Sequence, residues 1–250
     1  MRGRQVYKDR VHAGNVLADA IAKKYNNENN DIIVLALPRG GVPVAYQISQ
    51  RMKTSLDVFL VRKIGVEGHE ELAMGAISET ATVFNKDVIS QISEESIRRV
   101  IAKEAGLIVE KSKQELQRRN LKYRRGKPPV NVSGKIVILV DDGIATGATM
   151  KAAYKSLQEM KPKKIVVAVP VGAPDTINEI NNEVDDVICP LQPAFLMGIG
   201  MWYLNFDQTE DAEVLDHLTK AESQFPVPTV SPHESEKLQE KNVVELNKGS

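Results

Sequence analysis

Short apolar runs recur along the chain and are separated by polar or glycine-rich segments. Most of these runs are continuous and do not alternate with polar residues, which is typical of strands buried on both faces of a parallel sheet. We therefore predict one mostly parallel sheet, with its strands at residues 32–37, 57–62, 136–140, 165–170 and 186–189.

Between these runs, apolar residues recur at intervals of three and four, which predicts amphipathic helices that cover the sheet. The predicted helices occupy residues 9–25, the segment up to residue 52, and residues 150–160, 175–182 and 211–218. Because strands and helices alternate, the fold class is α/β, a central sheet flanked by helices.

Residues 66–130 interrupt this alternation and form a predicted insertion. We expect an exposed, flexible loop over 65–76, a β-hairpin from 73–77 and 80–84, and a largely helical arm over 87–125 that Gly126 ends. His69, Glu70 and Glu71 are consecutive, so neither a helix nor a strand could direct all three toward one metal ion. We predict no protein-built metal site.

Two segments near the C-terminus differ from the rest. Residues 190–207 carry Phe195, Trp202 and Tyr203 among glycines without a regular period. They form either a hood whose aromatic rings cover a planar ligand or a segment that packs on the core. Residues 225–250 are proline-rich and then polar, so we predict a disordered tail after a domain at 1–224.

Composition narrows the function classes. The 250 residues are 42% hydrophobic and 26% charged, with a net charge of zero, as in ordinary globular proteins. A neutral chain gives no general reason to expect nucleic-acid or membrane binding. The single cysteine, Cys189, excludes an intrachain disulfide, and no apolar run approaches the roughly 18 residues of a membrane span. Because the N-terminus also lacks a signal peptide's apolar segment, we expect a soluble cytoplasmic protein.

The most informative stretch is KIVILVDDGIATGATM, residues 135–150. Its strand ends in Asp141 and Asp142, which can accept charge-assisted hydrogen bonds from neighbouring sugar hydroxyls. A loop of small and hydroxylated residues then leads into a helix, where backbone N–H groups and the helix dipole favour a phosphate. These loop residues are Gly143, Ala145, Thr146, Gly147, Ala148 and Thr149.

Two further segments carry positive charge after strands. The first strand runs into Pro38, Arg39, Gly40 and Gly41, a turn whose glycines free the backbone and whose arginine adds a fixed charge. The second predicted strand ends at Arg62 and is followed by Lys63. A second phosphate group could bind there, so the sequence predicts a doubly phosphorylated ligand.

These segments resemble the binding site for 5-phosphoribosyl-1-pyrophosphate in type I phosphoribosyltransferases. The similarity rests on VDDGIATGATM, PRGGVPVA and RKIGVEGHEELAMGAI, covers about residues 9–218, and is strongest to a subgroup of unassigned acceptor. It implies transfer of a phosphoribosyl group with Mg²⁺, and catalytic roles for Asp141, Asp142, Arg39 and Lys63. The implied substrate contacts are Pro38, Gly40, Gly41, Arg62, Gly143, Ala145, Thr146, Gly147, Ala148, Thr149 and Trp202.

One departure from the family pattern concerns the acceptor. Purine-salvage members carry an aspartate three residues after the acidic pair, and here that position is Ala145, which cannot transfer a proton. The A-T-G triplet is closer to uracil-type members, although the rest of a uracil signature is lacking. The implied partners are therefore phosphoribosyl pyrophosphate and a small-molecule acceptor, and the oligomeric state is open, with a homodimer as one possibility.

Other functions are weighed against this one. A regulator could bind phosphoribosyl pyrophosphate or a nucleotide without turnover and use the basic segment 98–127, with its eleven Lys and Arg against three Glu, to contact RNA. Only Tyr123 supplies an aromatic ring there, so we favour a solvated helix face. The sequence has neither G-x-x-x-x-G-K-[ST] nor G-x-S-x-G, which argues against P-loop kinases and α/β-hydrolases.

Overall fold

The computed structural model describes residues 6–25, 31–66, 69–78, 82–84 and 106–230. Its strands are β1 (Ile32–Ala36), β2 (Leu56–Val58), β3 (Val61–Val66), β4 (His69–Ser78), β5 (Thr82–Phe84), β6 (Ile136–Val140), β7 (Lys164–Ala168) and β8 (Asp186–Ile188). The described helices are α1 (Arg10–Tyr25), α2 (Gly41–Met52), α3 (Gly106–Arg124), α4 (Ala148–Gln158), α5 (Pro174–Asn181) and α6 (Asp211–Gln224). None of them combines the length and apolar character needed to cross a bilayer.

The central sheet has five strands in the order β2-β1-β6-β7-β8, and every neighbouring pair is parallel. Every residue of β1 and β6 is buried, as the continuous apolar runs predict. Successive side chains of β1 point to opposite faces, so Val34 and Ala36 enter one core cluster while Ile33 and Leu35 enter the other. The α/β prediction is confirmed.

Helices cover both faces of this sheet. On one face, α1, α2 and α6 contribute Leu17, Ile48 and Val214, respectively, to the first core cluster. On the other face, Tyr154 of α4 and Ile180 of α5 are fully buried in the second cluster. The helices therefore bury the apolar stripes from which they are predicted.

The strand predicted at 57–62 is wrong in its extent. The central sheet keeps Leu56–Val58, whereas Val61 begins β3 in a second, three-stranded antiparallel sheet of order β3-β4-β5. The expected loop at 65–76 also falls largely within β3 and β4, because antiparallel pairing satisfies the backbone groups of a segment that leaves the central sheet. The predicted hairpin is confirmed by the pairing of Gly75 with Phe84.

The chain remains ordered beyond the predicted domain end. Thr229 forms an antiparallel bridge with Val130, and the Val230 N–H donates to the Pro129 carbonyl at 3.0 Å. The prediction of disorder is therefore wrong for 225–230, because backbone pairing and a buried Val230 fix this segment. Residues 231–250 lie outside the described part, as do residues 87–105 of the predicted helical arm.

Candidate active site

Two turns meet where β1 and β6 end. Because β1 and β6 are parallel neighbours, their carboxyl ends share one sheet edge, where ligands of open α/β sheets bind. The Leu37 N–H donates to the Val140 carbonyl at 2.8 Å, so β1 and β6 stay paired up to the start of both turns. The chain after β1 enters α2 at once, through a Gly41 N–H bond to the Leu37 carbonyl at 3.1 Å.

Glycines allow the two turns to touch. A Cβ at Gly40 would lie far inside van der Waals contact with Asp142 Oδ2. A Cβ at Gly41 would lie 2.8 Å from the Val140 carbonyl oxygen and 3.0 Å from Asp141 Cα. Gly40 and Gly41 therefore bring the arginine-bearing turn against the acidic pair, beyond the anion-binding role expected from the sequence. The Pro38–Arg39 peptide bond in this turn is cis.

The carboxylates of the acidic pair differ in their partners. Asp141 Oδ1 accepts a hydrogen bond from the Asp142 N–H at 2.9 Å. Burial, together with the charge of Asp142, raises the pKa of Asp141 well above its ordinary value. Burial also raises the pKa of Asp142, against the opposing effect of the Arg10 guanidinium. Negative charge is thus concentrated in a partly desolvated place, where it acts strongly on a cationic ligand.

Arg10 is the site residue that sequence reasoning missed. Its Nε lies 2.8 Å from Asp142 Oδ2, and the two side chains are only 13% and 14% exposed. Its Nη1 donates to the Asp207 carbonyl at 2.6 Å, and its Cζ lies 4.0 Å above the Phe206 ring centroid. No local motif marks Arg10, because it lies 132 residues from Asp142 in the sequence.

The loop after the acidic pair opens toward solvent where a phosphate is expected. Gly143 is buried, and a Cβ there would lie 2.6 Å from Ile199 Cγ2, whereas Ala145, Thr146 and Thr149 are exposed. The loop at 145–149 leads into the N-terminus of α4. Its backbone N–H groups donate to no acceptor among the described residues. Such a loop can surround an anion with backbone donors.

Gly147 shapes this loop. Its φ of 72° is the left-handed conformation that glycine tolerates, and a Cβ would lie 2.7 Å from Thr176 Cγ2. The Thr176 hydroxyl also donates to the Ala145 carbonyl at 2.7 Å, which ties the loop to α5. Ala148 is half-buried at the first position of α4. The loop is therefore fixed by contacts with α5 on one side, while Ala145, Thr146 and Thr149 remain exposed to solvent.

Arg39 lies in the turn after β1, and its side chain faces acidic residues at the start of α6. Its Nη1 is 3.9 Å from Glu210 and 4.0 Å from Asp211. When the Gln208 side-chain amide is flipped so that its oxygen faces Arg39, that oxygen also accepts a hydrogen bond from the guanidinium. The side chain is 34% exposed, so an incoming anion can reach it. Pro38 precedes it and is half-buried.

Arg62 and Lys63 do not end a central strand. Both are exposed residues of β3, paired in register with Ile77 and Ala76 of β4. The expectation that a parallel strand delivers them to the sheet edge is therefore wrong, because the chain leaves the central sheet before Val61. Any contact with a bound pyrophosphate would come from the second sheet.

Trp202 is a packing residue and not an exposed platform for a base. It is 8% exposed and belongs to a buried cluster with Tyr7, Val171 and Tyr203. Its carbonyl accepts the Tyr7 N–H at 2.8 Å, which joins the hood, residues 190–207, to the start of the chain. Phe195, in contrast, is 86% exposed.

In the described part of the basic segment 98–127, five cations pair with carboxylates of the protein itself. The side chains described are those of 110–127, where Arg118 and Arg119 pair with Glu115, Lys122 with Asp211, Arg124 with Asp57, and Lys127 with Glu222. A nucleic-acid backbone would have to compete with these carboxylates. The pairing supports the interpretation of a structural helix over that of an RNA-binding arm.

Comparisons with known proteins agree with the geometry. A sequence model of the phosphoribosyl transferase domain matches residues 7–202. A Mycobacterium tuberculosis protein, provisionally named a phosphoribosyl transferase, is 39% identical over 222 residues, 88% of this chain and 48% of that protein. The crystal structure of TT1426 from Thermus thermophilus is similar with a TM-score of 0.75 at 34% identity, covering 86% of this chain and 98% of TT1426.

A shorter similarity involves a uracil phosphoribosyltransferase of Mycoplasma genitalium, which is 46% identical over 54 residues, 22% of this chain and 26% of that enzyme. The chain spans 48% of the length of the mycobacterial relative. The matches therefore describe the domain that carries the acidic pair and its loop.

Proposed function

The chain belongs to the phosphoribosyl transferase domain family, and on that premise we propose that it transfers the 5-phosphoribosyl group of phosphoribosyl pyrophosphate to a small-molecule nitrogen nucleophile and releases pyrophosphate. One observation carries the proposal: the acidic pair, the Gly40 turn and the N-terminus of α4 adjoin at a single sheet edge. A sugar that carries a phosphate at one end and a pyrophosphate at the other would use all three elements, the acidic pair for the ribose and the other two for the anions.

The acidic pair would bind the ribose. As the bond to pyrophosphate breaks, the anomeric carbon becomes cationic, and fixed negative charge nearby lowers the energy of that transition state. Asp141 and Asp142 would accept hydrogen bonds from the ribose hydroxyls and place their charge beside the developing cation. Their partial burial supports this role, because electrostatic stabilisation is stronger where water is excluded.

The loop at 145–149 would bind the 5′-phosphate. Its N–H groups, the exposed hydroxyls of Thr146 and Thr149, and the dipole of α4 all favour an anion. This phosphate is remote from the reacting carbon, so its binding energy would orient the sugar. Ala145 cannot exchange a proton, so the loop would position the donor without proton transfer.

The Arg39 turn would stabilise the leaving group. Arg39 and the Gly40 N–H group would face the pyrophosphate, on which negative charge grows during the reaction. The Gly41 N–H is already bonded to the Leu37 carbonyl, so the anion-binding role expected for that amide is not available to it. The anion would then replace the distant contacts of Arg39 with Glu210 and Asp211. Arg62 and Lys63 would approach the same group from the second sheet if that sheet closes over the bound donor.

Magnesium would arrive with the donor. The described residues contain no cluster of three or more His, Cys, Asp or Glu able to hold a metal ion. A Mg²⁺ ion bound through substrate oxygens and water would neutralise part of the charge on the leaving group. We also propose a cytoplasmic location, which suits the free thiol of Cys189. A homodimer remains a prediction.

The direct test is magnesium-dependent release of pyrophosphate from phosphoribosyl pyrophosphate, assayed with a panel of nucleobases and small amines. We expect release with at least one acceptor and none after chelation of the metal. Binding of the donor without pyrophosphate release across the whole panel would favour the regulatory alternative.

Asp142→Asn tests the assigned roles. Removing this charge should lower turnover by about 100- to 1,000-fold, the usual cost of losing one preorganised electrostatic contact to a transition state. Asp216→Asn is the matched control, since Asp216 is an exposed aspartate that pairs with Lys220 at 2.6 Å on α6, and it should leave turnover unchanged. Equal turnover of Asp142→Asn and wild type, with both folded, would overturn the role given to the acidic pair.

A further inference from the structure

We infer that Arg10 is a positioning residue of the donor site: it fixes the Asp142 carboxylate through one oxygen, leaves the other oxygen for the ribose, and ties that carboxylate to the hood. The inference rests on the proposed function, because it concerns how the acidic pair meets the sugar. Arg10 belongs to α1, a helix outside the sequence motifs assigned to phosphate and sugar binding.

The contact between Arg10 and Asp142 is a short, mostly buried ion pair. Arg10 Nε donates to Asp142 Oδ2 at 2.8 Å, and both side chains are more than four-fifths buried. For comparison, Arg51 Nε lies 3.1 Å from Asp19 Oδ1, but those side chains are 56% and 64% exposed. Exposed pairs of the second kind contribute little to stability, whereas a mostly buried pair holds its partner in one place.

The contact with Arg10 gives the two carboxylate oxygens of Asp142 different roles. Oδ2 accepts the Arg10 bond and faces Gly40, where a Cβ would overlap it. Among the described residues, Arg10 is the residue whose side chain donates to this carboxylate, and it uses Oδ2, so Oδ1 is the oxygen left for a ligand hydroxyl. A carboxylate held at one oxygen can present the other with a defined direction, which is what preorganised binding requires.

The same guanidinium holds the hood. Its Nη1 donates to the Asp207 carbonyl at 2.6 Å, and its plane lies over the Phe206 ring. Phe206 packs on Tyr203 at a centroid distance of 4.8 Å, and the Tyr203 hydroxyl donates to the Asp142 carbonyl at 2.6 Å. Arg10, the hood and the turn after β6 therefore form a closed ring of contacts.

Charge gives Arg10 a second effect on the same carboxylate. The charged and titratable groups that face Asp142 are Arg10 from α1, Asp141 on its own turn and Tyr203 from the hood. Of these, only Arg10 is a cation. Removing it would leave Asp142 beside Asp141 in a partly buried place, where protonation is favoured.

The test compares Arg10→Gln and Arg10→Lys with wild type and with Arg51→Gln, the matched exposed pair. The titration of the Asp142 carboxyl is followed by NMR of aspartate-labelled protein without substrate, and Asp142→Asn identifies the resonance. We expect the titration midpoint of Arg10→Gln to move to higher pH, while Arg10→Lys and Arg51→Gln stay close to wild type. An unmoved midpoint in folded Arg10→Gln would overturn the inference.

Kinetics supply the second measurement. With an acceptor found active in the pyrophosphate assay, kcat/KM of Arg10→Gln should fall on the order of 100-fold, as for other losses of reactive geometry, and fall further as the pH is lowered. Arg10→Lys should lie between Arg10→Gln and wild type. Tighter donor binding by Arg10→Gln would instead identify Arg10 as a competitor of the sugar and overturn the positioning role. If no acceptor is turned over, the proposed function fails, whereas the carboxyl titration still decides the role of Arg10.

Discussion

At the scale of single residues, the acidic pair proposed to bind the ribose carries a charge that opposes the stability of the fold. Asp141 is confined beside Asp142 and receives one backbone hydrogen bond, so its charge is poorly compensated. Burial raises its pKa, which means that the folded protein holds the carboxyl proton to a higher pH than the unfolded chain does. Between those two pKa values, the folded state loses stability as the pH rises.

Asp141→Asn should therefore stabilise the fold at pH 7 while it lowers phosphoribosyl transfer. The neutral amide removes the buried charge, and its oxygen can still accept the Asp142 N–H bond. A gain of about 1 kcal/mol, common for relief of such strain, corresponds to about 2–4 °C in Tm for a domain of this size. The gain should shrink below pH 4, where an ordinary aspartate is protonated as well.

Calorimetry of Asp141→Asn from pH 3 to pH 8 measures this prediction. Asp19→Asn, which removes an exposed aspartate paired with Arg51, is the control and should show no comparable pH-dependent gain. A lower Tm for Asp141→Asn than for wild type at pH 7 would contradict the argument that this charge destabilises the fold.

At the scale of elements, a buried ion pair joins the end of α3 to the central sheet. Arg124 Nε, at the end of α3, lies 3.0 Å from Asp57 Oδ2 in β2, with side-chain exposures of 2% and 9%. Arg124 Nη2 donates to the Pro128 carbonyl at 2.6 Å, and the Val58 N–H donates to Asp57 Oδ1 at 2.7 Å. The pair orders both the edge strand and the return of the chain toward β6.

Breaking this pair should be costly. Arg124→Met leaves the Asp57 carboxylate buried without its cation, which destabilises folded proteins by about 3–5 kcal/mol. Arg118→Met removes a cation from the same helix, but Arg118 is 60% exposed and should cost less than about 1 kcal/mol. Urea unfolding of both variants tests the difference.

The double variant Asp57→Leu with Arg124→Met separates the pair from the packing around it. It should recover part of the stability lost in Arg124→Met, because no unpaired charge remains. Equal free energies of unfolding for Arg124→Met and Arg118→Met would show that the buried pair does not fix α3.

At the scale of the whole molecule, segments distant in sequence close the structure. The segment after α6 bridges Val130 through Thr229, and Val227 packs against the second core cluster. Near the other terminus, Tyr7 bridges Tyr203, and its hydroxyl donates to the Pro170 carbonyl at 2.8 Å. The hood is thus held by the beginning of the chain, and the segment before β6 by 225–230.

Two truncations measure separately how residues 225–230, which pack on the domain, and the polar residues 231–250 contribute to stability. Ending the chain after Val230 should leave Tm nearly unchanged, whereas ending it after Gln224 should lose about 2–4 kcal/mol. The truncation after Gln224 removes the buried Val230 and the half-buried Val227, and one valine contributes about 1.5–3 kcal/mol when fully buried. Thermal unfolding of both forms tests this, and equal losses would contradict the division at residue 230.

The sequence by itself determined the features that short-range patterns encode. Continuous apolar runs specify buried parallel strands, and the Asp141–Asp142 pair followed by a Gly and Thr loop predicts a sugar-phosphate site. The glycines of both turns could be identified from the sequence as well, because close backbone approach excludes side chains. These patterns lie within a few residues of one another, so local sequence suffices to find them.

Only the tertiary structure decided which distant residues complete the site. Arg10 meets Asp142, Trp202 of the hood is buried against Tyr7 and Val171, and the chain leaves the central sheet before Arg62 and Lys63. Three cations of the basic segment, Lys122, Arg124 and Lys127, likewise pair with carboxylates from other elements. Such pairings depend on where separate elements pack, and a charge or ring in the sequence carries no record of its distant partner.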